Sequence, residues 1–141
     1  TKEMIALVHE KGKEAVFHRA FDCVAQQENA VETLISLGAD RILTSGGAPD
    51  VWTGRKQLQW LQSQYGKEII FLAGSGVNAE NVKDLMEYTK VEQVHTSCRK
   101  WNVDGTTSYQ NVDFSYDAEK KDAYEMVDPQ KVEKMVKVLT L

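Results

Sequence analysis

Four short apolar runs recur along the chain at steps of roughly 25 residues, the length of one strand, one turn and one helix. They are Ala15–Asp22, Asp40–Gly47, Ile69–Gly76 and Gln93–Cys98, and each ends in polar or glycine-rich sequence. Strands are predicted over Ala15–Phe21, Arg41–Thr44, Ile69–Ala73 and Gln93–Thr96. Between them, helical spacing of apolar residues predicts helices. One runs over Asn29–Leu37 and stops at Gly38. One passes through Leu58 and Leu61 and ends near Gly66. One is capped by Asn78 and buries Val82, Leu85 and Met86. The chain opens inside a helix, with Met4, Ile5, Leu7 and Val8 on one face and Gly12 as its stop. Near the C-terminus, Asp128 caps a helix with Pro129 in its first position and a buried stripe of Val132, Met135, Val136 and Leu139. The polar stretch Lys100–Tyr124 reads as a long loop, and Trp52, Trp60 and Trp101 read as packing residues, although Trp101, just outside the last strand, could instead border a site. No linker divides the chain, so a single domain over residues 1–141 is expected.

Strand, helix, strand in succession implies a parallel sheet with right-handed crossovers. An open doubly wound sheet and part of a (β/α)₈ barrel both satisfy that pattern. A complete barrel takes about 250 residues, and the chain has 141, enough for half of one. Both sheet edges of a half barrel would be unpaired, which motivates the expectation of a homo-oligomer.

Composition narrows the partners. A net charge of −4 with scattered Lys and Arg leaves no basic footprint for nucleic acid. No apolar run reaches the ~18 residues of a membrane-spanning helix, and Thr1–Gly12 is too charged for a secretory signal. Two cysteines, Cys23 and Cys98, lie far apart, which suits a reducing, cytoplasmic setting rather than a disulfide framework.

Parallel α/β folds place their chemistry at the C-terminal ends of strands. Four groups stand there. In a strand, His18 and Asp22 would share one face and Arg19 would point to the other. A His and a carboxylate so placed could form an acid/base pair, or Asp22 could simply cap the following turn. Thr44, Ser45, Gly46 and Gly47 could admit a ligand close to the backbone or could form a tight turn. Gly74, Ser75, Gly76 and Asn78 run into a helix, where unpaired N–H groups favour an anion. As a dinucleotide fingerprint this stretch lacks the acidic residue at the end of the next strand. His95 and Ser97 would share a face of the last strand, with Cys98 opposite. Copper(I) takes thiolates, and imidazole also suits copper, so Cys23 and Cys98 are the candidate metal ligands. No Cys-x-x-Cys or His-x-x-x-His spacing supports them.

Taken together, Phe17-His-Arg-Ala-Phe-Asp22, Asp40-Arg-Ile-Leu-Thr-Ser-Gly46, Gly74-Ser-Gly-Val-Asn78 with Asn81, and His95-Thr-Ser97 resemble the CutC family of copper homeostasis proteins, in order and spacing, from about Gly12 to Arg99. At Ser75 the commonest family form has Gly. The resemblance implies a TIM-type barrel in which these runs are the fifth to eighth strands. The Glu and Arg-Pro-Arg segment of the family's earlier strands are absent here, and Cys23 and Cys98 fall outside the matched motifs. It further implies cytoplasmic copper binding or handling. Alternatively, it implies a barrel enzyme acting on a small phosphorylated or anionic substrate, with His18, Arg19, Asp22 and His95 as catalytic candidates and Ser45, Gly46, Gly74, Gly76 and Asn78 holding the anion. A third expectation is that half a barrel is inactive alone.

Overall fold

The computed structural model describes residues 1–140. They form two compact units, Thr1–Thr96 and a second that begins at Ser97.

The first unit is an α/β layer. Its helices are α1 (Lys2–Glu10), α2 (Gln27–Ser36), α3 (Val51–Tyr65) and α4 (Val82–Thr89). Its strands are β1 (Val16–Phe17), β2 (Arg41–Thr44), β3 (Ile70–Ala73) and β4 (Gln93–Val94), all parallel and ordered β1-β2-β3-β4. The register aligns Phe17, Ile42 and Phe71 in one row. Ile42 and Phe71 are fully buried there, alongside Leu58 and Leu61 of α3 and Val82 and Leu85 of α4. The adjacent row, Val16, Arg41 and Ile70, points to the other face. That face is not sealed by helices: Val16 is 49% exposed and Ile70 38%. Across it Arg41 pairs with Glu14 and donates to Gln93 Oε1 at 2.8 Å.

Two predicted strands are shorter than expected by two residues or more. β1 stops at Phe17, and Arg19–Cys23 is a 3-10 helix. His18 Nδ1 accepts from Ala20 N at 3.0 Å and caps it. Short polar side chains offer the backbone such local bonds in competition with a ladder. β4 stops at Val94, although His95 N still donates to Ala73 O at 2.7 Å. Cys98 lies beyond it at φ +44°, so His95, Ser97 and Cys98 have no alternating strand faces.

In the second unit, the expected loop Lys100–Tyr124 is largely a ribbon. β5 (Arg99–Val103) pairs antiparallel with β8 (Ala123–Val127), and β6 (Ser108–Tyr109) with β7 (Val112–Asp113) around a two-residue turn. Its strands carry no period-2 apolar signal because most of their side chains are exposed. Gln110, rather than glycine, takes the left-handed turn position. α5 (Pro129–Thr140) is capped as expected, Gln130 N donating to Asp128 Oδ1 at 3.0 Å. Of its apolar stripe only Met135 is buried; Val132, Val136 and Leu139 are exposed. Trp52 and Trp60 are 41% and 36% exposed and pack at the surface rather than in the core, Trp52 under the Arg55 guanidinium and Trp60 edge-on to Tyr65.

Candidate functional site

The exits of β1 and β2 meet through Asp22. Its side chain is only 6% exposed. Oδ1 accepts from Thr44 Oγ1 at 2.5 Å and from Gly47 N at 3.0 Å, and Ser45 N lies 3.1 Å from both carboxylate oxygens. Arg19 Nε donates to Oδ2 at 2.8 Å. The turn after β2 is therefore a concave set of donors of the kind that binds anions, and Asp22 fills it from within the chain. Burial pushes the Asp22 carboxyl up, but the hydrogen bonds from Thr44, Gly47, Arg19 and Ser45 outweigh it and hold the group below the ordinary aspartate range.

The same 3-10 helix that shortens β1 decides Arg19. In a strand Arg19 and Asp22 would face apart; one turn of helix brings them to the same side. Arg19 Nη2 donates to Ser45 Oγ at 2.7 Å and approaches Ala48 O at 3.4 Å. Ser45 Oγ lies 2.5 Å from Ala48 O and 3.0 Å from Asp22 Oδ2, the two acceptors for its one proton. One edge of the guanidinium is thus committed to the protein. Nη1 has no hydrogen-bond partner among the described residues, and the side chain is 40% exposed.

His18 and Asp22 do not pair. The expected pairing required four consecutive extended residues, which the helix replaces. Because His18 Nδ1 accepts a backbone N–H, the neutral ring carries its proton on Nε2. The ring stacks on Phe17 at 5.1 Å and is otherwise exposed. His95 is also exposed, at the opposite edge of the sheet.

The glycines serve packing. A Cβ on Gly46 would stand 2.3 Å from Gly54 O, and one on Gly54 only 1.9 Å from Ser45 O. The turn and the first turn of α3 therefore touch backbone to backbone at Gly54, with no room for a ligand between them. At the turn after β3, Gly76 and Ser75 both have positive φ. Ser75 O accepts from Val51 N at 2.9 Å, tying this turn to the start of α3. Asn78 and Asn81 then cap each other. Asn78 N donates to Asn81 Oδ1 at 2.9 Å, while Glu80 N and Asn81 N donate to Asn78 Oδ1 at 2.9 and 3.1 Å. This is the reciprocal logic of a capping box, legible in the Asn-x-x-Asn spacing. It takes up the N–H groups of Asn78, Glu80 and Asn81.

A cleft of about 610 Å³ opens beside Gly46 and Gly47, lined by Asp22, Gln26, Gln27, Glu28 and Gln57. Its two carboxylates oppose an anion. Cys23 is exposed in the first unit, and Cys98 belongs to the second. Among the described residues no group of three or more His, Cys, Asp and Glu side chains is gathered as a metal site.

The strand exits, with His18, Arg19 and Asp22 leaving β1 and Ser45 and Gly46 leaving β2, lie inside the stretch that a model of the CutC family matches, residues 1–100. The chain belongs to the CutC family. A family protein CutC of Vibrio cholerae serotype O1 is 40% identical over 99 residues, which are 70% of this chain and 39% of that protein. A family protein CutC of Glaesserella parasuis serovar 5 is 38% identical over 134 residues, 93% of this chain and 54% of its own. Among solved structures, a candidate copper homeostasis protein CutC from Streptococcus agalactiae is similar at a TM-score of 0.59 and 30% identity, over 67% of this chain and 48% of that one. The chain thus spans 39% to 54% of the length of these CutC relatives. No helix among the described residues is long and apolar enough to cross a membrane.

Proposed function

We propose that this chain forms the C-terminal part, strands five to eight, of a TIM-type barrel of the CutC kind, and that its strand exits bind a small anionic molecule through Arg19. The four parallel strands with one face open and the half-length match to CutC relatives support the barrel reading. The observation that carries the site is Arg19: a guanidinium held at a strand exit by Asp22 and Ser45, with Nη1 outside those bonds. Asp22 is then a positioning group rather than a base. His18 offers Nε2–H at the same exit, and His95 belongs to the far side of the rim. Gly74, Gly76 and Asn78 shape the neighbouring turn. Arg19→Gln is expected to abolish saturable chemical-shift changes produced by small anions in ¹H–¹⁵N spectra. Unchanged anion binding in that variant removes the reading.

The family name favours a second reading, cytoplasmic copper handling with copper as cargo. The Streptococcus agalactiae relative is a candidate copper homeostasis protein, and Cys23 is an exposed thiol of the kind copper(I) prefers. Competition against a chromophoric copper(I) chelator tests it. Loss of binding in Cys23→Ser with Cys98→Ser supports the cysteines as ligands, and retention sinks that role. A second copy could pair with the open edges at β1 and β4, and a monomeric sedimentation profile would remove this partner.

A further inference from the structure

We infer that the Arg19 site selects a singly charged ligand, a carboxylate, over a phosphate dianion; this rests on the anion-site reading above and narrows it. Phosphate sites use several converging donors, commonly backbone N–H groups of a glycine turn or a helix start. In both such places, side chains of the chain itself accept some of these N–H groups. Asp22 takes Ser45 N, Gly47 N and Thr44 Oγ1 after β2. Asn78 and Asn81 take the N–H groups of residues 78, 80 and 81 after β3.

At the Arg19 exit, what remains for a ligand is the outer part of one guanidinium, with the exposed Nε2–H of His18 on the neighbouring residue. Its Nε is committed to Asp22 and Nη2 to Ser45, so the side-on fork that grips a phosphate in two bonds is used internally. Nη1 is left to meet a ligand oxygen. The local charge works in the same direction. Arg19 and the Asp22 carboxylate 2.8 Å away sum to zero, so a second negative charge on the ligand finds a repelling carboxylate and no further cation among Arg19's partners. Extra ligand charge therefore adds desolvation cost without a matching attraction.

The test is a pair of titrations of the ¹⁵N-labelled chain at matched ionic strength and about pH 8, where a phosphate group is mainly a dianion. The probes are sodium acetate and inorganic phosphate, and the readouts are the Arg19 Nε–H signal and the amides of Ser45, Gly47, Asn78, Glu80 and Asn81. Acetate is expected to shift Arg19 saturably and to bind at least as tightly as phosphate, with those amides moving little. Phosphate binding tighter than acetate, with shifts at those amides, overturns the carboxylate assignment and leaves the anion reading standing. Absence of any saturable shift at Arg19 with either probe overturns both. In Asp22→Asn the order is expected to move toward phosphate, because a dianion gains most from losing a neighbouring negative charge; an unchanged order in a folded variant overturns the electrostatic explanation. The wild-type comparison decides the assignment whether or not that variant folds.

Discussion

Asp22 Oδ1 accepts a hydrogen bond from Gly47 N at 3.0 Å, so the exit of β1 closes the turn that follows β2. With Thr44, Ser45 and Arg19 also donating, Asp22 is the hub of the strand exits. Replacing it by Asn puts an N–H₂ among those donors. Hydrogen bonds to a charged acceptor contribute about 1.5–3 kcal/mol each, non-additively. Asp22→Asn is expected to destabilise the fold by about 2 kcal/mol or more, read from urea unfolding. A loss under about 0.5 kcal/mol, the size of an ordinary surface change, would show that the hub does not hold the turn.

The hub also sets a pH dependence. Asp22 titrates below the ordinary aspartate value of 3.8 in the fold and near that value when unfolded. The unfolded chain therefore binds the proton more readily. The contribution is complete above the unfolded value and is lost as pH falls through the folded one. Wild type is expected to lose stability on this acid limb, and Asp22→Asn to lose less over the same range. Parallel acid limbs for the two proteins would contradict this.

Gly54 lies inside α3, where alanine is ordinarily better by about 1 kcal/mol. Here a Cβ would stand 1.9 Å from Ser45 O. Gly54→Ala is therefore expected to lower the thermal midpoint, against helix propensity. Overpacking of this kind costs about 1–3 kcal/mol. A raised midpoint would mean that α3 and the turn separate easily.

Ser75 sits at φ +76°, a left-handed backbone position that favours glycine. A left-handed non-glycine residue costs about 1–2 kcal/mol, and glycine gives back part of that in unfolded-state entropy. Ser75→Gly also loses the bond from Ser75 Oγ to Pro49 O. The expected net effect is stabilisation by up to about 1 kcal/mol, measured by chemical denaturation. A destabilised variant would show that the Pro49 bond outweighs the backbone strain.

Much of the first unit is legible in the chain. β2 falls on Arg41–Thr44 as the apolar pattern predicts, and β3 differs by one residue. These strands are buried on one face and flanked by glycine, so pattern and punctuation agree. α5 starts at Pro129 for the same local reason. The ribbon from Arg99 to Val127 is not legible, because exposed strands carry no burial pattern to read. In the site, the residues that matter are found at the right ends of the right strands, but their partnerships are misread. His18 and Asp22 share a face only if the chain stays extended.

The sequence by itself determines the order of strands and helices, the parallel layer and the CutC motifs, since each depends on local spacing. Only the tertiary structure decides what fills the donor turn after β2. A glycine turn offers the same N–H groups to a phosphate or to a carboxylate from elsewhere in the chain. Asp22 is distant from Gly47 in sequence, and a 3-10 helix in place of four more strand residues brings its carboxylate to that turn and Arg19 to its side.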